Sequence, residues 1–175
     1  MTRTQYCGLF DESYVGKQVN AMGWVQTKRD MGGVLFLDVK DREGALQVVC
    51  NAALLPAEQF ALAERLKNQS VVQVSGTIFI REEETYNPLL KTGTIELRAE
   101  DLTLLSSADT LPYALEEEGS VREDLRLQYR YLDLRRQHMA DNLRFRHRVA
   151  SAARSFLDKA GFIEAETPML TKSTP

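Results

Sequence analysis

The sequence predicts a mainly β domain followed by helices: a five-stranded barrel, an acidic connection, and the start of an α/β region. Three observations carry this. Five strand-like runs and a single helical run occupy residues 18–105 in the order strand, strand, strand, helix, strand, strand. After residue 106 the alternating pattern stops and helical spacing takes over. Charge changes at the same place: residues 1–106 carry 11 Lys/Arg against 14 Asp/Glu, residues 107–120 carry four acids and no base, and residues 121–154 carry nine arginines against four acids. Three segments are expected: 1–106, 107–137 and 138–175.

The first strand runs from Gln18 to Arg29, with a sharp bend expected at Gly23, where a missing side chain permits one. Asp30-Met31-Gly32-Gly33 turns into Val34–Val39, and Asp41-Arg42-Glu43-Gly44 turns into Ala45–Val49, a hairpin signature. A short helix follows over 56–67, with proline in its first turn and Phe60, Ala63 and Leu66 on one side. Val71–Ile80 and Thr94–Leu105 complete five strands, expected to be antiparallel. That order is the order of an OB-fold barrel, whose closure leaves no exposed sheet edge. Residues 121–136 read as one helix with Val121, Leu125, Tyr129 and Leu132 on a stripe. A longer helix is expected over 139–160, with Phe145, Val149, Ala152 and Phe156 on a buried face and Gly161 as a left-handed cap onto which Phe162 folds back. Residues 163–170 read as extended, broken at Pro168. The sequence stops at Thr174-Pro175 without a cap or polar tail, as a cut chain would.

Composition excludes several classes. A hydrophobic fraction of 43% and a charged fraction of 27% are those of a globular protein. No run approaches the roughly 18 apolar residues of a membrane span, and the first residues lack a secretory pattern, so the expected location is the cytoplasm. Two cysteines supply neither a disulfide framework nor a zinc site. There is no phosphate-binding loop, dinucleotide fingerprint or assignable carboxylate pair. His138 and His147 have no third ligand at metal spacing and are read as structural.

Strand phase marks the candidate site. Leu35, Leu37 and Val39 share one face, which leaves Phe36 and Asp38 on the other. Leu46 and Val48 face the core and turn Gln47 outward; Ile95, Leu97 and Ala99 oppose Glu96 and Arg98; Val72, Val74, Ile78 and Ile80 leave Phe79 outside. Phe36 is either a core contact under a loop or a platform for an unpaired base, and its polar neighbours favour stacking. For Phe79, beside the Glu82–Thr92 loop, packing is the better reading. Gln47 is either solvated or a donor–acceptor fork for a base edge. Glu96 is a surface charge or an acceptor for guanine-type N–H groups. Lys28-Arg29 is a solvated pair or a phosphate clamp. The arginines of 122–154 lie on solvated faces between acids, or make forked hydrogen bonds to carboxylate or phosphate, which their lysine-free composition favours.

Several longer blocks carry a resemblance. They are Arg3-Thr4-Gln5-Tyr6-Cys7-Gly8, Gly23-Trp24-Val25 with Arg29-Asp30, Phe36 through Gly44 leading to Gln47-Val48-Val49, Thr92-Gly93-Thr94-Ile95-Glu96, Tyr129-Arg130-Tyr131-Leu132-Asp133-Leu134-Arg135-Arg136, and Gly161-Phe162 through Glu166-Thr167-Pro168-Met169-Leu170-Thr171-Lys172. Together they resemble the N-terminal part of bacterial-type aspartyl-tRNA synthetases over nearly the whole chain. The resemblance implies that residues 1–106 are an OB-fold anticodon-binding domain. It implies that Phe36 stacks on the central anticodon base, Gln47 hydrogen-bonds there, Glu96 reads the first base and Arg29 supports the loop, with Asn87 as a further contact; Lys28, the other half of the basic pair, joins this candidate anticodon-binding set. Thr27 and Phe79 depart from the arginines frequent in that family, and Thr85 from a frequent asparagine. From about Asp141 the chain resembles the start of the class II catalytic domain, whose first signature motif, around Pro168, implies a homodimer interface. The motifs that hold ATP are missing, so no catalytic residue, metal or cofactor is expected in this chain. ATP with Mg2+ and L-aspartate belong to the parent enzyme. The expected partner is the anticodon stem-loop of tRNA(Asp). Two alternatives are an asparaginyl-type fragment and a stand-alone single-strand-binding OB protein.

Overall fold

The strand pattern folds as a ring. In the computed structural model, which describes residues 2–115, 121–170 and 172, the strands β1 (Gln18–Asp30), β2 (Val34–Lys40), β3 (Ala45–Asn51), β4 (Val71–Ile80) and β5 (Ile95–Ser106) close in the order β1-β2-β3-β5-β4. Helix α1 (Ala57–Arg65) connects β3 to β4. Four of the five ladders are antiparallel. The β3–β5 ladder is parallel, with Val48 opposite Leu97 and Val49 opposite Arg98, which corrects the expectation of an all-antiparallel barrel. The reason is arithmetic: directions cannot alternate all the way round an odd-numbered ring, so one neighbouring pair must run the same way.

The length of β1 lets it serve two partners. Gln18–Trp24 pairs with β4, and Trp24–Asp30 pairs with β2. Gly23 stands at this handover, and a Cβ there would lie 2.5 Å from the carbonyl oxygen of Lys40. Its role is therefore close approach. The strand runs through Gly23 without the expected interruption, and the irregular step falls between Val25 and Thr27. Inside the ring Leu37, Val39, Leu46, Val48, Val72, Val74, Ile78, Ile95 and Leu97 are fully buried. Ile80, expected among them, is exposed at the end of β4. Ala63 and Leu66 of the α1 segment join this core, and the Gln59 amide ties the helix to β5 by donating to Asp101 (2.6 Å) and accepting from the Leu102 amide (2.8 Å).

The chain divides into two compact units at Thr110/Leu111. Of the acidic connection, 107–110 go with the barrel unit and 111–115 with the second unit. The acidic residues 116–118 lie outside the described residues. The second unit contains α2 (Glu123–Gln128), α3 (Arg130–Asp133) and α4 (Gln137–Lys159). The single helix expected over 121–136 is broken at Tyr129, whose backbone (φ −108°, ψ 47°) leaves the helical region. Three arginines around the break converge on one buried carboxylate: Asp133 accepts from Arg126 Nε at 2.8 Å and Arg130 at 2.6 Å, with Arg136 at 3.7 Å. Hydrogen bonding from Arg126 holds the Asp133 carboxyl below the usual carboxylate range. Arg136, also buried, lies over the Tyr113 ring.

The stripe on α4 is not buried as expected: Phe145, Val149 and Phe156 are 64%, 54% and 73% exposed, because nothing described in this unit packs on that face. Gly161 (φ +84°) ends the helix as expected, its amide bonding to the Asp158 carbonyl and that of Phe162 to the Leu157 carbonyl. The Phe162 ring itself stays exposed. Residues 163–170 form no strand, and Pro168 is exposed among them. No helix among the described residues is long and apolar enough to cross a membrane.

Candidate nucleic-acid interface

The outer face of β2, β3 and β5 meets the end of β1 along one groove of about 700 Å³. Cross-strand register builds it. Arg29 lies opposite Phe36, Phe36 opposite Val49, and Val49 opposite Arg98, forming one transverse row. Asp38 lies opposite Gln47, which contacts Glu96, and Glu96 lies opposite Phe79, forming a second. Phe36, Gln47 and Glu96, identified separately from strand phase, and Arg29, identified as half of a basic pair, thus line a single groove. Leu37, next to Phe36, is fully buried on the opposite face of β2.

The polar groups form a chain. Arg29 sits 3.6 Å from Asp38 and donates to Gln47 Oε1 at 3.1 Å. Gln47 Nε2 donates to Glu96 Oε2 at 3.4 Å, and Arg98 Nε donates to Glu96 Oε1 at 3.1 Å. Gln47 is not the wet outward side chain that alternation suggested. It is only 4% exposed, because the side chains of Arg29 and Glu96 close over it. Phe36 is half-buried, with the Arg29 guanidinium 5.8 Å from its ring centre. Both sides of the Gln47 amide are therefore engaged and aligned, a precondition for presenting a donor and an acceptor without rotamer search.

Two expected contacts lie elsewhere. Lys28 has the opposite phase to Arg29, so its ammonium reaches the C-terminal end of the α1 segment and donates to the carbonyls of Glu64 and Leu66 (3.0 Å to the latter). It does not line the groove. Asn87 is occupied in building the β4–β5 loop: its Oδ1 accepts from the Leu89 amide at 3.0 Å, and its backbone amide donates to the Gly93 carbonyl. It does not line the groove either.

Two arginines missing from the sequence-based set do line it. Arg81 follows β4, and its Nε is buried with no hydrogen-bond partner among the described residues. Arg98 packs its guanidinium carbon 4.1 Å from the Phe79 ring centre. The signal was present, since Arg81 shares the phase of Phe79 and Arg98 that of Glu96. Met31 and Leu54, both exposed, add an apolar rim. Phe79 does not line the groove, and it is exposed rather than packed under the loop as expected; the Arg98 guanidinium lies over its ring. Among the described residues, no group of three or more His, Cys, Asp or Glu is arranged to hold a metal ion.

Residues 19–105 match the family of OB-fold nucleic acid binding domains, and residues 122–175 match the class II tRNA synthetases of the D, K and N group. The chain is 49% identical over 173 residues to an aspartate–tRNA(Asp/Asn) ligase of Geobacillus sp. (strain WCH70) and 44% identical over 173 residues to an aspartate–tRNA ligase of Macrococcus caseolyticus (strain JCSC5402). Each match covers 99% of this chain and 29% of the relative, so the chain spans less than a third of the length of these curated relatives. The crystal structure of asparaginyl-tRNA synthetase from Pyrococcus horikoshii superposes with a TM-score of 0.82 at 28% identity, over 95% of this chain and 38% of that one. A barrel with the OB strand order, a groove of aligned polar and aromatic side chains on its outer face, and sequence identity over 99% of the chain lead to one conclusion: the chain belongs to the bacterial aspartyl-tRNA synthetase family of class II and matches its members over their N-terminal part.

Proposed function

We propose that the barrel reads the anticodon of tRNA(Asp). The observation that carries this reading is the convergence of Phe36, Gln47, Glu96 and Arg29 in one groove. Phe36 offers a ring face to the unstacked middle base, and the Gln47 amide hydrogen-bonds its edge. The Glu96 carboxylate accepts from N1–H and the 2-amino group of guanine in the first position. Arg29 holds Gln47 in register and faces the loop phosphates, and Arg81 contributes a buried Nε donor without a hydrogen-bond partner among the described residues. Lys28 and Asn87 support the interface indirectly, through the α1 end and the β4–β5 loop.

The longer enzyme, on this reading, is a cytoplasmic homodimer that activates L-aspartate with ATP and Mg2+ and transfers it to tRNA(Asp). The exposed segment around Pro168 and the exposed face of α4 are assigned to contacts within that dimer. No described residue cluster fits a metal ion, and no catalytic step is assigned to this chain. The chain alone is expected to bind the RNA hairpin and to support no ATP–pyrophosphate exchange.

The test measures affinity for anticodon hairpins bearing GUC and single-base variants. Each wrong base should weaken binding by about 1–3 kcal/mol, roughly 5- to 150-fold. Equal affinity for all hairpins would point to sequence-tolerant single-strand binding. Exchange of GUC for GUU separates aspartate-type from asparagine-type recognition.

A further inference from the structure

We propose that Arg98, seated on the Phe79 ring, is a positioning residue that aims the Glu96 carboxylate and thereby sets selectivity for the first anticodon base. The inference rests on the anticodon reading above and extends it to two residues with no assigned role.

The geometry is a three-residue relay. Phe79 and Glu96 face each other across β4 and β5, and Arg98 lies two residues further along β5 on the same outer face. The Arg98 guanidinium carbon lies 4.1 Å from the Phe79 ring centre, while its Nε is 3.1 Å from Glu96 Oε1. The other carboxylate oxygen is held by Gln47 Nε2 at 3.4 Å. Glu96 is therefore gripped at both oxygens from opposite sides. A carboxylate has about four acceptor sites, so each oxygen keeps one for an incoming donor. Guanine presents two parallel N–H donors, and only a carboxylate held in the plane of the base can meet both. A free glutamate would have to lose its rotamer freedom on binding.

The ring explains why Arg98 can do this. An exposed ion pair between residues two apart on a strand is weakly oriented by itself. The face of Phe79 fixes the guanidinium plane through its quadrupole, and Arg98 shields the ring in return. Phe79 does not line the groove, whereas Arg98 does and lies over its ring, so the arginine links Phe79 to the groove.

The test uses the whole chain, hairpins bearing GUC or AUC, and the ratio of their affinities. Phe79→Leu keeps apolar bulk and charge but removes the ring face. It should lower the G-to-A ratio by about fivefold or more, the lower end of what one read base contributes, with affinity for the AUC hairpin unchanged. Arg98→Lys keeps the charge without the Nε geometry, so it should lower the ratio while leaving the salt dependence intact. The Phe79→Leu/Arg98→Lys double variant should be no less selective than Arg98→Lys alone. An unaltered ratio in Phe79→Leu and Arg98→Lys, or an equal loss for both hairpins, overturns the relay. Glu96→Gln separates the two claims: if it abolishes the ratio while the relay variants keep it, Glu96 reads the base and only the relay falls. If the unmodified chain does not distinguish GUC from AUC, the reading of Glu96 fails, and the relay with it.

Discussion

Phe36 and Leu37 are neighbours in sequence and opposites in role, and substituting each in turn separates binding from stability. Leu37 is fully enclosed by the barrel, whereas Phe36 is half-buried on the groove floor. Truncating Leu37 to alanine removes core packing and should cost about 2–5 kcal/mol of folding stability. Truncating Phe36 removes the stacking surface and should cost about 1–3 kcal/mol of RNA binding, a 5- to 150-fold rise in Kd. Its stability cost should be the smaller of the two, because its ring already contacts water. Fluorescence anisotropy with a labelled GUC hairpin reads the affinity, and urea unfolding followed by Trp24 fluorescence reads the barrel. The reasoning is refuted if Phe36→Ala unfolds the barrel as readily as Leu37→Ala while hairpin affinity stays at the level of the unmodified chain.

Other expectations follow from the same structure. Lys28→Met should lower stability by about 1–2 kcal/mol, since the charge-assisted contacts to the Glu64 and Leu66 carbonyls at the α1 end are lost, and should weaken hairpin binding far less than Phe36→Ala does; an affinity loss comparable to that of Phe36→Ala would return Lys28 to the interface. Asp133→Asn should destabilise the helical unit by about 2–3 kcal/mol, less than breaking a fully buried pair because Arg126 and Arg130 stay partly exposed, as read by the helical circular dichroism signal. The carboxyl of Asp133 is depressed in the folded state, so its contribution is present above the unfolded value of about 3.9 and is lost as pH falls through the folded one. Acid loss of the helical signal should therefore begin below about pH 4 and be blunted in Asp133→Asn. Burial pushes the Cys50 thiol up to about 12, and burial with the nearby Asp41 carboxylate pushes Cys7 up as well. Neither should react with a thiol reagent at pH 8 until the barrel is unfolded.

Strand phase made most of the barrel and half of its groove legible. Alternation separates Phe36 from Leu35 and Leu37, and Glu96 from Ile95 and Leu97, without reference to any partner strand. What alternation cannot supply is what covers an outward residue, and so Gln47 emerged buried beneath Arg29 and Glu96. Adjacency in sequence likewise paired Lys28 with Arg29, although one step along a strand sends the two side chains to opposite sides. The parallel β3–β5 ladder was hidden because it joins strands separated by a helix and a further strand. In the helical unit, Tyr129 has the period of a continuous helix, and spacing alone gives no sign that its backbone leaves the helical region. The exposed stripe on α4 has the spacing of a buried face, and spacing alone cannot say which chain or segment buries it.

The most direct test of the groove as the RNA-reading face is a heteronuclear NMR titration of the chain with the GUC hairpin, following two side-chain signals. Gln47 Nε2H2 lies in the groove, and the Trp24 indole N–H lies outside it. The Gln47 signal and the amides of Phe36, Val49 and Glu96 should shift on binding, with the Trp24 indole unmoved. Shifts centred on Trp24 with a stationary Gln47 amide would contradict the account.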